Sequence, residues 1–152
     1  MGAIATPRPV ELLVAASSRY QAALDWGRRL ATNRWGPTAT VSEPFVFTET
    51  HYDRAEMGDD LLKQFWVHRR LVDPDELPAA KHQTNQWEAE YAALGRHPEP
   101  RPLNLDPGYL TLAKLVLAST KDHAHRLYLG DGIYAEVTLQ YRGKGWQAMP
   151  WT

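Results

Sequence analysis

The chain has 152 residues, of which 43% are hydrophobic and 23% are charged, and this balance is typical of one compact domain rather than a disordered or fibrous chain. The formal net charge of -1 and the lack of a basic block argue against a broad basic surface for nucleic acid, but they leave a local basic patch open. The sequence contains no cysteine, which excludes disulfides, thiolate metal sites and cysteine nucleophiles.

The sequence shows no targeting or membrane segment. No apolar run approaches the roughly 20 residues that a membrane span needs. The N-terminus lacks the basic residues that precede the apolar part of a signal peptide. We therefore expect a cytoplasmic protein with no membrane partner.

The first half of the chain predicts strands around one helix. Residues 10–17 form an apolar run typical of a buried strand, and Ser17 or Ser18 is placed to cap a helix that ends at Trp35. Residues 40–48 predict an edge strand because Pro44 cannot donate a ladder hydrogen bond, and residues 65–72 predict another strand. The polar connection between them carries acid–base residue types without a diagnostic spacing: Glu49, His51, Tyr52 and Glu56.

Two Asp-Pro pairs predict helix starts in the second half. Asp73 at the N-cap and Glu76 three residues later predict a helix to about Leu94. After a short strand at residues 103–105, Asp106 is placed to cap a second, buried helix over residues 106–119. The resulting order predicts a single α+β domain over residues 1–152. Its mixed, mainly antiparallel sheet is backed by helices, and a ferredoxin-like core with added strands is one candidate arrangement.

The last predicted element is a β-hairpin. Residues 133–141 alternate between apolar and polar side chains, which is the two-residue period of a strand. Aligning the apolar residues of the two strands places Leu129 opposite Ile133 across a three-residue loop, Gly130 to Gly132. The same register pairs Arg126 with Glu136 and Tyr128 with Tyr134 on the polar face. It places His125 on the apolar face, opposite Val137.

These predicted positions suggest a binding site on the hairpin. Arg126 and Lys121 have the chemistry to hold a phosphate or carboxylate. Tyr128 and Tyr134 would supply a flat wall or hydroxyl donors, and His123 or Glu136 is the candidate acid–base group. Asn104 and Asp106 join the candidate ligand-binding residues because they follow a strand end. The alternative for the Arg126–Glu136 pair is a structural cross-strand ion pair.

A metal site is the other chemistry considered for this segment. His123 and His125 have the spacing that projects two side chains to one side of a strand, and Glu136 or Asp106 would be a further ligand. Two histidines fall short of the three protein ligands of a catalytic zinc, and the predicted register separates His125 from Glu136. The sequence therefore assigns no metal site and identifies no cofactor. The nucleotide-binding motifs G-x-x-x-x-G-K-[ST] and G-x-G-x-x-G are absent, as is G-x-S-x-G.

Two long segments of the sequence resemble a known family. LNLDPGYL (residues 103–110) and KLVLASTKDHAHRLYLGDGIYAEVTL (residues 114–139) are similar to the signature of a prokaryotic family described as a domain of unknown function. Weaker similarity extends through residues 43–58 and 73–77 to the first strand. Some members carry the label "GTP-binding protein", which the missing P-loop does not support. Relatives are expected to continue beyond a tryptophan–threonine pair that matches Trp151 and Thr152.

Two functions remain open from the sequence. The first is a protein, enzyme or sensor, that holds a small anionic ligand such as a nucleotide or a phosphoester. The second is a non-catalytic module that binds a partner protein. A concave pocket bounded by Lys121, Arg126 and Glu136 would favour the first, and a flat apolar patch with Trp146 and Trp151 would favour the second.

Overall fold

A computed structural model describes residues 1–47 and 54–152, so Glu49, His51 and Tyr52 lie outside the described residues. Within the described residues, nine strands and three α-helices are present. The strands are β1 (Val10–Ser18), β2 (Thr38–Val41), β3 (Phe45–Phe47), β4 (Leu61–Val72), β5 (Leu103–Leu110), β6 (Lys114–Ser119), β7 (Arg126–Gly130), β8 (Ile133–Arg142) and β9 (Gly145–Ala148). The helices are α1 (Gln21–Trp35), α2 (Arg54–Met57) and α3 (Leu77–Ala93).

The strands form one antiparallel sheet in the order β2-β4-β1-β5-β6-β8-β7, with β3 also paired to β4 and β9 to β8. The part β2-β4-β1-β5, crossed by α1 and α3, has the β-α-β-β-α-β arrangement of a ferredoxin-like core. Strands β6 to β9 extend that core at the β5 edge. The predicted α+β class and mainly antiparallel sheet are confirmed.

The two sides of the sheet differ in character. On one side, Val14, Trp66 and Leu105 pack with the buried faces of α1 and α3 in the main hydrophobic core. A second cluster on the same side joins Leu77 of α3 to Ile133 of β8 and to Val116 and Ala118 of β6. We call the opposite side of the sheet the open face. Because side chains alternate along a strand, seven polar side chains of β5 to β8 lie on this face, next to apolar residues such as Ala15 and Leu117: Asn104, Asp106, Ser119, Arg126, Tyr128, Tyr134 and Glu136.

Both long helices begin and end near the predicted positions. Helix α1 ends at Trp35 as predicted, but its N-cap is Tyr20 rather than Ser17 or Ser18. Ser18 still belongs to β1, and its hydroxyl donates to the Pro102 carbonyl at 2.6 Å and accepts from the Tyr20 N–H at 3.0 Å. No helix among the described residues combines the length and apolar character needed to cross a membrane.

The start of α3 has the predicted helix-capping chemistry. Asp73 is the N-cap of a short 3-10 turn, Pro74–Glu76, which leads directly into α3. The Glu76 carboxylate accepts a hydrogen bond from the Asp73 N–H at 2.7 Å, which is the return bond of a capping box.

Replacing Glu76 tests this bond. Glu76→Ala should lower the free energy of unfolding by about 1 kcal/mol, because the Asp73 N–H loses its acceptor. Asp75→Ala is the matched control, since it removes an exposed carboxylate from the same turn without removing this bond. Urea denaturation of both variants measures the difference, and an equal loss in both would assign the effect to charge at the helix start.

The predicted helix over residues 106–119 is wrong. Residues 103–110 are a single strand, β5, and residues 114–119 form β6, which pairs with it from Gly108 onwards. Pro107 is tolerated in β5 because its nitrogen points to the same side of the strand as the Leu105 N–H. β6 pairs with β5 only from Gly108 onwards, so no ladder hydrogen bond is lost at Pro107. Asp106 is therefore a strand residue opposite Ala15 of β1, and not a helix cap.

The hairpin register is confirmed at two pairs and wrong at the turn. Arg126 pairs with Glu136 and Tyr128 with Tyr134, as predicted. Gly130, not Leu129, faces Ile133. Asp131 and Gly132 both have positive φ, of 53° and 79°, which gives a two-residue turn and leaves Leu129 as an extra residue in β7.

Candidate functional site

Arg126 is held at the centre of the hairpin's open face. Its Nε and Nη2 both lie 3.2 Å from Glu136 Oε1, and the two side chains are only 16% and 13% exposed. Its Nη1 donates to Ser119 Oγ at 3.0 Å and to the Lys121 carbonyl at 3.1 Å. All of these hydrogen bonds of the Arg126 guanidinium are made within the fold. This arrangement agrees with the alternative prediction, a structural cross-strand ion pair with Glu136.

Glu136 is fixed by further donors besides Arg126. Its Oε1 lies 2.8 Å from His125 Nε2, and its Oε2 accepts from Thr138 Oγ1 at 3.0 Å. The prediction that His125 and Glu136 lie on opposite faces is wrong, because His125 lies in a turn before β7 and does not follow strand alternation. The His125 ring also stacks on Trp151, with centroids 4.9 Å apart and planes at 18°.

The two tyrosines of the hairpin are in contact with each other. The rings of Tyr128 and Tyr134 lie 5.2 Å apart at 55°. The Tyr128 hydroxyl accepts from the Gly132 N–H at 3.0 Å, so it supports the turn. Tyr128 is 61% exposed, and this leaves most of its ring available on the open face.

A second polar cluster lies where α3 meets β5. Lys81 Nζ lies 3.0 Å from Asp106 Oδ1, and the Lys81 side chain is only 8% exposed. The other oxygen of Asp106 accepts from Asn104 Nδ2 at 2.9 Å. Asp106 is 37% exposed. Its carboxylate is therefore oriented from two sides and still accessible to solvent.

Side chains of α3 take the place of a neighbouring strand along the first half of β5. The Leu105 N–H donates to Glu88 Oε2 at 2.6 Å, and Lys81 Nζ donates to the Leu105 carbonyl at 3.4 Å. Burial raises the pKa of the Glu88 carboxyl to about 7. The Leu105 N–H and the charges of Lys81 and Arg101 lower it in part, and the charge of Asp106 raises it.

The strand register relates the two clusters. Gly108 faces Leu117, so Asp106, two residues earlier in β5, is level with Ser119, two residues later in β6. Ser119 pairs with Tyr134 and binds Arg126. With strands about 4.8 Å apart and about 3.4 Å per residue, the Cα atoms of Asp106 and Glu136 are roughly 12 Å apart.

The open face thus brings together most of the residues predicted from the sequence. Arg126, Tyr128, Tyr134 and Glu136 form one cluster, whereas Asn104 and Asp106 lie on the same face in the other. Lys121 contributes its carbonyl and has an exposed side chain.

His123 is exposed, and its ring is 5.8 Å from that of His125. Within residues 1–47 and 54–152, no group of three or more histidine, aspartate or glutamate side chains is arranged to hold a metal ion.

Sequence reasoning missed Lys81 and Glu88. Lys81 lies four residues after Leu77, and Glu88 lies four residues after Thr84, so both fall beside the buried stripe of α3. A charged residue on such a stripe is unusual, since buried lysine and glutamate require a partner. That spacing was a signal in the sequence that Lys81 and Glu88 have partners. Nothing in the sequence indicated that those partners lie on β5.

Comparison with known families gives one result. The family described as "Domain of unknown function (DUF4416)" matches residues 8–152. Comparison with curated proteins and with solved structures gives no match. The matched residues include all nine strands and the three helices of the described structure, so the chain belongs to the DUF4416 family.

Proposed function

We propose that this chain binds a small phosphorylated ligand, such as a nucleotide or a sugar phosphate, on the open face between Asp106 and Glu136. The observation that supports this is a pair of oriented carboxylates on one face of the sheet. Asp106 is held by Lys81 and Asn104, and Glu136 is held by Arg126, His125 and Thr138.

Stability alone does not account for these ion pairs. Removing two charges from water costs several kcal/mol per ion, and well-packed apolar residues are often as stable as a buried pair. Lys81 and Arg126 are nevertheless largely buried beside their carboxylates. A fixed carboxylate with free lone pairs accepts hydrogen bonds from hydroxyl or amino groups of a ligand, as acidic residues do with ribose.

The anionic part of the ligand is assigned to Lys121. The charge of Arg126 is already matched by Glu136, whereas the Lys121 side chain is exposed. The bond from Arg126 to the Lys121 carbonyl fixes the backbone at the end of β6. In this arrangement Arg126 is a positioning residue, and Lys121 contacts the phosphate.

Lys121→Ala should weaken binding of a phosphorylated ligand about fivefold or more, because a charge-assisted contact is lost. Lys144→Ala is the matched control: it removes the same charge from another exposed lysine, in the turn between β8 and β9. A thermal-shift screen of nucleotides and sugar phosphates identifies the ligand, and titration calorimetry then gives Kd for wild type and both variants.

Two further measurements test which parts of the ligand contact Asp106 and Lys121. Asp106→Asn keeps the shape of the side chain, so a ligand whose hydroxyl groups bind there should lose affinity. The dephosphorylated form of the ligand should bind wild type and Lys121→Ala equally. If both lysine variants lose affinity to the same extent, the contribution is general electrostatics and the Lys121 assignment fails.

One observation favours the second function, a protein-interaction module. Within the part of the chain that the structure describes, β7 lies at the edge of the sheet, and its Leu127 is 75% exposed. Such an edge can pair with an extended segment, and a second copy of this chain offers the same edge. No thermal shift with any ligand, together with concentration-dependent dimerisation that Leu127→Lys abolishes, would favour this function over ligand binding.

A further inference from the structure

A cavity of about 100 Å³ lies on the helix side of the sheet, away from the open face. It opens where the end of α1, the end of β4 and the first turns of α3 meet. Its apolar lining includes Leu12, Trp35, Val72 and Ala80, all of which belong to the main core. Its polar lining includes Arg34 of α1 and Arg70 of β4.

The two arginines are exposed side chains from different elements that meet at one cavity. In the described part of the chain, no hydrogen bond or ion pair engages either guanidinium. Glu76 also lines the cavity, but its carboxylate is bound to the Asp73 N–H. The macrodipole of α1 favours a cation such as Arg34 in the last helical turn, but it does not account for Arg70 on β4.

The size and lining of the cavity restrict the ligand. A volume of about 100 Å³ is smaller than the cavity of roughly 150 Å³ that holds benzene, so only a small molecule fits. A guanidinium pairs with a carboxylate through two parallel hydrogen bonds. The buried apolar side chains of the lining, Leu12, Trp35, Val72 and Ala80, suit a short hydrocarbon chain attached to that carboxylate.

We propose that this cavity binds a small monocarboxylate, with the carboxylate between Arg34 and Arg70 and the short apolar chain against Trp35 and Val72. This site is separate from the open face and uses none of the residues assigned to the phosphorylated ligand.

Nuclear magnetic resonance of the full chain, titrated with butyrate, tests the proposal. Butyrate should shift the signals of Trp35 and Ala80, and 1-butanol should bind at least tenfold more weakly, because it lacks the charge. Arg70→Gln should raise the Kd for butyrate about tenfold. Arg29→Gln is the matched control, since Arg29 is exposed on α1 and does not line the cavity.

Two further variants test whether butyrate binds in this cavity rather than elsewhere on the protein. Ala79→Leu adds bulk at an exposed position of the lining, so it should reduce butyrate binding while the thermal midpoint of unfolding stays near the wild-type value. Lys121→Ala should leave butyrate binding unchanged. No shift of the lining residues at saturating butyrate, equal binding of phosphate there, or equal effects of Arg70→Gln and Arg29→Gln would each overturn the proposal.

Discussion

Gly108→Ala should lower the free energy of unfolding by about 3 kcal/mol or more, a much larger loss than that of Gly145→Ala. A Cβ at this position would collide with the Val116 backbone carbonyl and would lie 2.6 Å from Leu117 Cδ2. The carbonyl belongs to β6 and cannot move without breaking the start of the β5–β6 ladder, where Gly108 faces Leu117.

Gly145→Ala provides the comparison for this substitution. Gly145 also lies in a strand, no atom lies within 4 Å of its Cβ position, and its φ is outside the left-handed region. This change should alter the free energy of unfolding by less than about 0.5 kcal/mol, or stabilise slightly by restricting the unfolded chain. Urea denaturation at one pH measures both variants. Equally small changes in the free energy of unfolding for both variants would show that β6 does not lie against Gly108 of β5.

The same position explains why the sequence between residues 106 and 119 predicts a helix where the structure has two strands. Asp106-Pro107 is good helix-start chemistry, and a short apolar run does not distinguish a strand from a buried helix. Pro107 fits a strand only because β6 begins to pair at Gly108. That pairing is a contact between strands, and no local pattern near Pro107 reports it.

The candidate site was predictable to the extent that it depends on local alternation. The Arg126–Glu136 and Tyr128–Tyr134 pairs follow from the two-residue period of β8 and from a short turn. The contact between Lys81 and Asp106 joins residues 25 apart, and it exists because α3 packs along the first half of β5, where β6 does not pair. The position of His125 also failed to follow from the pattern, because strand alternation stops at the turn before Arg126.

Glu88 is the residue through which this edge of β5 should respond to pH. Its carboxyl pKa is raised from 4.5 to about 7 by burial between α3 and β5. The folded protein therefore holds the Glu88 proton more tightly than the unfolded chain. The stability that this proton contributes is complete below about pH 4.5 and is lost as pH rises to about 7. At 1.36 kcal/mol per pKa unit, the full change is about 3 kcal/mol.

Glu88→Gln should remove this dependence. A glutamine side chain is neutral throughout, and its amide oxygen can still accept the Leu105 N–H. The variant should therefore gain stability relative to wild type by between about 2 and 3 kcal/mol when the pH is raised from 5 to 8. Urea denaturation of both proteins at several pH values measures this difference, in which contributions from other titrating groups largely cancel.

The groups that face Glu88 define the remaining controls. Lys81 and Arg101 favour its charged form, and Asp106 disfavours it. Lys81→Met should therefore raise the Glu88 pKa further and move the stability loss to higher pH. Glu90→Gln changes an exposed carboxylate on the same helix and should give a curve parallel to wild type. A Glu88→Gln curve that also runs parallel to wild type would mean that Glu88 is hydrated, and α3 would then not seal the edge of β5 that positions Asp106.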